Sequence, residues 1–319
     1  MEWNSLKPKM LSMFGQGGSM FGILLPELVK EGANITVLSA DMSTPAGLDK
    51  FKAAFPEKFF NLGIAEQNMI GVGAGLSDEG SIVVSEAQAC FITMRSFEQV
   101  RQFCGYMSSK QVLIGLSSGY SLTFFGNTHY ALEDIALMRL VPGITVIAPC
   151  DALEAMKALD ATMKSDKSSY IRIFGGTSTP IVHQSDFNFE IGKAIKLRDG
   201  NDVQIIATGS MVCQALKAAE RLLEKGIEAE VVDMHTIKPL DTEAIRKDVK
   251  GIFTVEEHRS TGGLGEAVAS HIATSNGYPK LTIIAAPDAF SRVGDYDFLL
   301  KENGLDSEAI VTKISGSLQ

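Results

Sequence analysis

The chain has 319 residues, 45% of them apolar and 21% charged, with a mass of 34.3 kDa; this exceeds what one average domain needs and predicts two. A net charge of −9 and a pI near 5.2 offer no basic face for a nucleic acid backbone, which leaves small molecules and protein partners. No run reaches the ~18 apolar residues of a membrane span, and the opening M-E-W-N-S-L-K-P-K lacks the basic-then-apolar order of a secretion signal, so the expectation is a cytoplasmic chain without a membrane role.

In chain order, segment 20–31 reads as helical around Pro26, and I-T-V-L-S-A (35–40) as a first strand. Strands are further predicted at 81–85, 111–116, 144–149 and 169–174, with helical spacing at 96–103 and a helix at 152–163 that Asp151 can cap. Residues 175–190 mix glycine, proline and small polar residues without a helical period, as a linker does. A second alternating pattern follows: strands at 203–208, 229–234, 251–257 and 281–286, helices near 211–225, 241–248 and 264–275. The fold class is α/β, with two domains at 1–180 and 191–319 joined by a linker at 181–190, each a mostly parallel sheet flanked by helices.

Binding sites in such sheets lie beyond the carboxyl ends of strands, which makes Asp41 a candidate binding residue or else a turn or cap aspartate. Glu66 lies in the small-residue, mostly apolar run F-F-N-L-G-I-A-E-Q-N-M-I-G-V-G-A-G-L (59–76), where an unpaired charge is expensive to bury, so it either caps a helix or serves chemistry. Gly71, Gly73, Ala74 and Gly75 imply that this helix approaches a neighbour closely. Gly15, Gln16, Gly17 and Gly18 fit no full phosphate-loop pattern and read as a flexible turn. Cys90, Cys104, Cys150 and Cys213 are scattered singly, without C-x2-C pairing, and read as reduced core residues; no metal ligands are assigned. Glu256, Glu257 and His258 are adjacent on one strand, point to alternate faces and read as interface or structural groups.

G-I-A-E-Q-N (63–68), G-N-T-H-Y (126–130) and V-E-E-H-R-S-T-G-G-L-G-E-A-V (255–268) together resemble the C-terminal half of transketolase. They most resemble the separate small subunit of a split transketolase, from about residue 30 to the end. The resemblance implies a pyrimidine-binding domain followed by a transketolase C-terminal domain, with thiamine diphosphate as cofactor. By that resemblance Glu66 bonds N1′ of the aminopyrimidine, because a carboxyl in an apolar, subunit-flanked site can share a proton with a ring nitrogen. Phe91 offers the flat face on which the aminopyrimidine stacks, with Gln88 where relatives carry a second aromatic. His129 faces the reacting substrate carbon, and Asn127 replaces the proline usual beside it. Arg172 is expected to hold an anionic substrate end. Ser117 stands where a histidine is usual and Phe125 where an aspartate is usual, so a non-standard sugar is implied.

The family's diphosphate motif, G-D-G followed about thirty residues later by asparagine, does not occur in the chain. The resemblance therefore implies an N-terminal partner subunit that holds the diphosphate and Mg2+, in an α2β2 assembly, which would transfer a two-carbon ketol unit from a ketose to an aldose. M-H-T-I-K-P-L-D (234–241) also resembles deoxyxylulose phosphate synthases and dehydrogenase β subunits, which keeps a 2-oxo acid decarboxylating ligase as an alternative, beside a non-catalytic partner subunit.

Overall fold

The structure, a computed structural model, describes residues 3–177 and 179–318. The first sheet is drawn from β1 (Ile35–Ser39), β2 (Phe59–Asn61), β3 (Ile82–Gln88), β4 (Gln111–Leu116), β5 (Thr145–Ile147) and β6 (Ser169–Arg172). The second comprises β7 (Ile195–Arg198), β8 (Val203–Ala207), β9 (Ala229–Asp233), β11 (Gly251–Arg259) and β12 (Leu281–Ala286). Between β9 and β11, β10 (Thr236–Lys238) returns to the first sheet and pairs antiparallel with β5. The strand orders are β10-β5-β6-β4-β3-β1-β2 and β12-β11-β8-β9-β7. Apart from β10 and β7, all neighbours pair in parallel.

Parallel strands covered on both faces read as continuous apolar runs, and β4 and β8 are buried at every residue. The helix Met211–Leu223 buries Met211, Val212, Ala215, Ala218, Ala219 and Leu222, the stripe that helical spacing predicts. The close approach expected of the helix Glu66–Asp78 is real: a Cβ on Gly73 would lie 2.2 Å from Gln111 Oε1. Gln111 in turn donates to Ile70 O at 3.0 Å, fastening the helix to β4. Asp151 caps the helix Ala152–Lys164 by accepting from Glu154 N at 2.9 Å, a contact of about 1 kcal/mol.

Three expectations change. Residues 241–248 form turns rather than a helix. Asp241 accepts from Ala194 N, and Gln204 on β8 bonds both Ala244 O and Arg246 N, so tertiary partners take the backbone groups a helix would need. The Gly15–Gly18 stretch is a packed part of the kinked helix Pro8–Ser19, not a flexible turn. Gly15 bends it at φ 70° with its α-carbon against Gly176, and buried Gln16 bonds Pro149 O and Phe174 N. Finally, β10 links the two halves of the chain within one sheet, an arrangement the second domain's pattern did not suggest.

The seam between the two sheets is polar, exposed at one edge and buried at its centre. Asn127 exchanges two hydrogen bonds with the backbone of Ser291. Glu257 accepts from Tyr120 N at 2.6 Å, from Tyr296 at 2.8 Å and from Ser210. Glu256 accepts from Leu264 N and Gly265 N at the start of the helix Leu264–Ala273. His258 Nδ1 lies 2.7 Å from Arg259 O. Burial lifts Glu256 to about 8 and pushes His258 down to about 4. Among the described residues, no helix is long and apolar enough to cross a membrane.

Candidate active site

In the first sheet the chain order runs outward in both directions from β1 and β3, and the carboxyl ends of these strands flank the reversal where such folds bind ligands. Asp41 follows β1 there, in a left-handed backbone at φ 59°, tied to Asn61 by bonds of 2.9 and 3.1 Å. Ser117 follows β4, also left-handed at φ 55°, on a cavity of about 130 Å³ shared with Phe14, Leu116 and Phe174. Phe91 opens the turn after β3, and Glu66 is the first residue of the helix that follows β2.

Glu66 and Phe91 meet through one residue that sequence reasoning passed over, and His129 joins them through Phe91. Arg95 Nη1 donates to both Glu66 oxygens at 2.8 Å, while its guanidinium stacks 4.1 Å above the Phe91 ring. His129 meets Phe91 edge-on at 5.4 Å and Phe125 at 5.1 Å; its Nδ1 lies 2.8 Å from Thr128 Oγ1. Spacing could have revealed Arg95: it lies four residues after Phe91, one helical turn, where side chains share a face. Glu66 is only 2% exposed, whereas the Arg95 side chain is 43% exposed. The carboxylate is therefore buried, while its cationic partner is partly open to solvent.

The arrangement fits an aminopyrimidine. A flat, nitrogen-bearing group that bonds the Glu66 carboxylate and stacks on Phe91 is what Arg95 supplies in the free chain, and it is also what an aminopyrimidine ring would supply in its place. Close by, Gln88 Oε1 at the end of β3 is buried without a hydrogen-bond partner among the described residues, giving the wall a polar spot. Both oxygens of Glu86, two residues earlier, are likewise unpartnered. Burial lifts the Glu86 carboxyl to about 7, against a smaller downward pull from the Ser39 hydroxyl.

Large apolar side chains surround these groups in the open. Ile64, two residues before Glu66, is 75% exposed, Phe124 is 71% exposed, and Met94 and Phe125 stand exposed beside Arg95 and His129. A rim of this kind marks a protein interface.

Arg172 does not join the site. It is 3% exposed, and its guanidinium donates to Asp134 at 2.8 Å, Ala131 O at 2.9 Å and Glu257 O at 2.7 Å. Asp134 also accepts from Tyr170 at 2.7 Å. With Nε and Nη2 engaged across the seam, Arg172 ties the two domains together and lies buried, away from the Glu66 cluster, which corrects the expectation that came with the resemblance.

The family model of the transketolase pyrimidine-binding domain matches residues 18–174, and that of the transketolase C-terminal domain matches residues 192–310. A protein of Methanocaldococcus jannaschii described as a transketolase C-terminal section is 41% identical over 296 residues, covering 92% of this chain and 93% of its own. A subunit of the apulose-4-phosphate transketolase of Phocaeicola vulgatus is 38% identical over 290 residues, covering 90% and 92%. Among solved structures, a split-gene transketolase in an inactive β4 tetramer superposes with a TM-score of 0.85 at 36% identity, covering 95% of this chain and 98% of that one.

Proposed function

Because the chain belongs to the transketolase family, as the small subunit of a split enzyme, we propose that it carries the aminopyrimidine half of a thiamine diphosphate site and is completed by a diphosphate-binding subunit. The reaction is transfer of a two-carbon ketol unit from a ketose to an aldose. The observation that carries the reading is the Glu66–Arg95–Phe91 cluster inside an exposed apolar rim.

Thiamine diphosphate, when bound, supplies the electron sink that carries the two-carbon unit. Glu66 holds a proton at N1′ of the aminopyrimidine, and its burial keeps water from competing for that hydrogen bond. Phe91 backs the ring. Thr128 engages His129 Nδ1, so Nε2 is the nitrogen turned to substrate oxygens, where imidazole can donate or accept near neutral pH. Asn127, bonded twice to Ser291, steadies the His129 loop in place of the usual proline. Asp41 and Ser117 line the cofactor and substrate sides at the ends of β1 and β4.

With Arg172 committed to the seam, the substrate's anionic end is read by other groups. The partner subunit holds the diphosphate and Mg2+, and the assembly is α2β2, so that each exposed rim is covered. The first domain spans 1–180 and the second 191–319, with 181–190 between them. The four unpaired cysteines suit a reducing cytoplasmic setting.

The test is turnover by the chain alone and mixed with a transketolase N-terminal subunit, given thiamine diphosphate, Mg2+ and a panel of ketose donors. Ketol transfer only in the mixture is the expected result. Carbon dioxide release from pyruvate, without ketol transfer, would place the chain with the 2-oxo acid ligases instead.

A further inference from the structure

At the domain seam lies a second, closed cluster that the ketol-transfer site does not use. Cys150 follows β5, Glu154 stands in the first turn of the helix Ala152–Lys164, His183 lies in the connecting segment, and Asp233 ends β9. All four are buried, Glu154 and Asp233 completely. One ligand atom from each lies within 4.8 Å of the other three. His183 Nε2 stands 3.7 Å from Glu154 Oε1 and 3.8 Å from Asp233 Oδ2, beyond hydrogen-bond distance. Glu154 Oε1, both Asp233 oxygens and His183 Nε2 have no hydrogen-bond partner among the described residues.

Buried carboxylates whose oxygens have only long ion pairs to one imidazole, and no hydrogen bond, are costly, and here they face that imidazole and a thiol across one small gap. Two measurements say what the gap accommodates. Zn–N and Zn–O bonds of about 2.0–2.2 Å in a tetrahedral site place neighbouring nitrogen and oxygen ligands about 3.3–3.5 Å apart, and the imidazole–carboxylate separations of 3.7 and 3.8 Å need to close by only a few tenths of an ångström to reach it. The donor set, one sulfur, one imidazole nitrogen and two carboxylates, suits zinc and its transition-metal neighbours rather than magnesium or calcium.

We propose that Cys150, Glu154, His183 and Asp233 form a structural site for a zinc-class divalent ion that staples the first domain, the connecting segment and the second domain together. The ligands are held in advance by contacts outside the site. Asp151 Oδ2 accepts from Val182 N at 3.0 Å and His183 N at 2.8 Å, fixing the backbone that carries the imidazole. Phe187 stacks on the His183 ring at 3.7 Å. Glu154 Oε2 accepts from Cys150 N at 2.6 Å, leaving Oε1 for the ion. A cavity of about 230 Å³ bordered by Phe174, Ser210 and Tyr296 reaches Cys150 and supplies an entry path. The site stands apart from the ketol-transfer reading, and either can fail without the other.

The test uses the untagged full chain. Elemental analysis after growth with zinc and dialysis should find about one zinc per chain, and zinc should raise the melting temperature of chelator-stripped protein. Cobalt(II) titrated into stripped protein should give the near-ultraviolet thiolate-to-cobalt absorption. That band should vanish in Cys150→Ser and persist in Cys213→Ser, whose thiol borders the same cavity outside the cluster. His183→Gln should weaken zinc binding by about a hundredfold or more, and it decides the matter if Cys150→Ser does not fold. Less than about a tenth of a zinc per chain at saturation, no thiolate band in the wild type, or a band that survives Cys150→Ser would overturn the site; the cluster would then be an imidazolium paired with two carboxylates.

Discussion

Glu66 and Arg172 are both buried charges in the first domain, and their surroundings differ in kind. Glu66 has a guanidinium partner that is itself nearly half exposed, stacked on a ring and surrounded by apolar side chains facing solvent. Arg172 is closed in by Asp134, Ala131 and Glu257, with partners drawn from both sides of the seam. On the proposed reading the first region is a site that another molecule finishes; the second has its partners within the chain. A buried charge alone does not mark function, and the replaceability of its partner separates the two cases.

That contrast breaks most readily at Glu66. Replacing it by Gln should lower ketol transfer in the two-subunit mixture by about 10²–10⁴-fold, with the melting temperature of the chain unchanged; equal activity would remove Glu66 from the chemistry. Arg172→Met should do the reverse. It leaves Asp134 buried without its ion partner and should cost about 3–5 kcal/mol in chemical denaturation, whereas a raised KM at unchanged stability would return Arg172 to the substrate.

Glu86 sharpens the comparison by pH. Its folded value of about 7 exceeds the ordinary 4.5, so its contribution to stability is full below 4.5 and is lost as pH rises through 7. Wild type should therefore lose stability relative to Glu86→Gln by up to about 1.4 kcal/mol per pH unit across that window, then level off. A difference that does not vary with pH would show that Glu86 is not held protonated. The smallest effect belongs to Arg95. If its guanidinium occupies the seat of the aminopyrimidine, Arg95→Met should tighten apparent cofactor affinity in the mixture up to about fivefold, the scale of a half-exposed ion pair; weaker binding would make Arg95 part of the bound site.

The sequence was most legible where burial is two-sided. Runs such as Q-V-L-I-G-L become β4 because a covered parallel strand needs apolar residues on both faces. The short strands β2 and β7 are mostly exposed or half-buried and lack the apolar run that betrays the equally short, buried β5 and β6, and β10 belongs to the other domain's sheet. Motif resemblance pointed to Glu66, Phe91 and His129, which the fold gathers into one cluster. The resemblance misled at Arg172 because a matching position does not tell whether a side chain faces the ligand crevice or the seam. The Cys150–Asp233 cluster was illegible for another reason: its ligands come from a strand end, a helix, a connecting segment and a second sheet, and no spacing rule spans them. The sequence reading of Cys150 as a plain core residue followed from that separation.

The central claim is that this chain holds half of a cofactor site. It is tested most directly by calorimetric titration of thiamine diphosphate with Mg2+ into the chain alone and into its mixture with a diphosphate-binding subunit. The account predicts no measurable binding by the chain alone and saturable binding by the mixture that weakens in Glu66→Gln. Tight binding by the chain alone would contradict it.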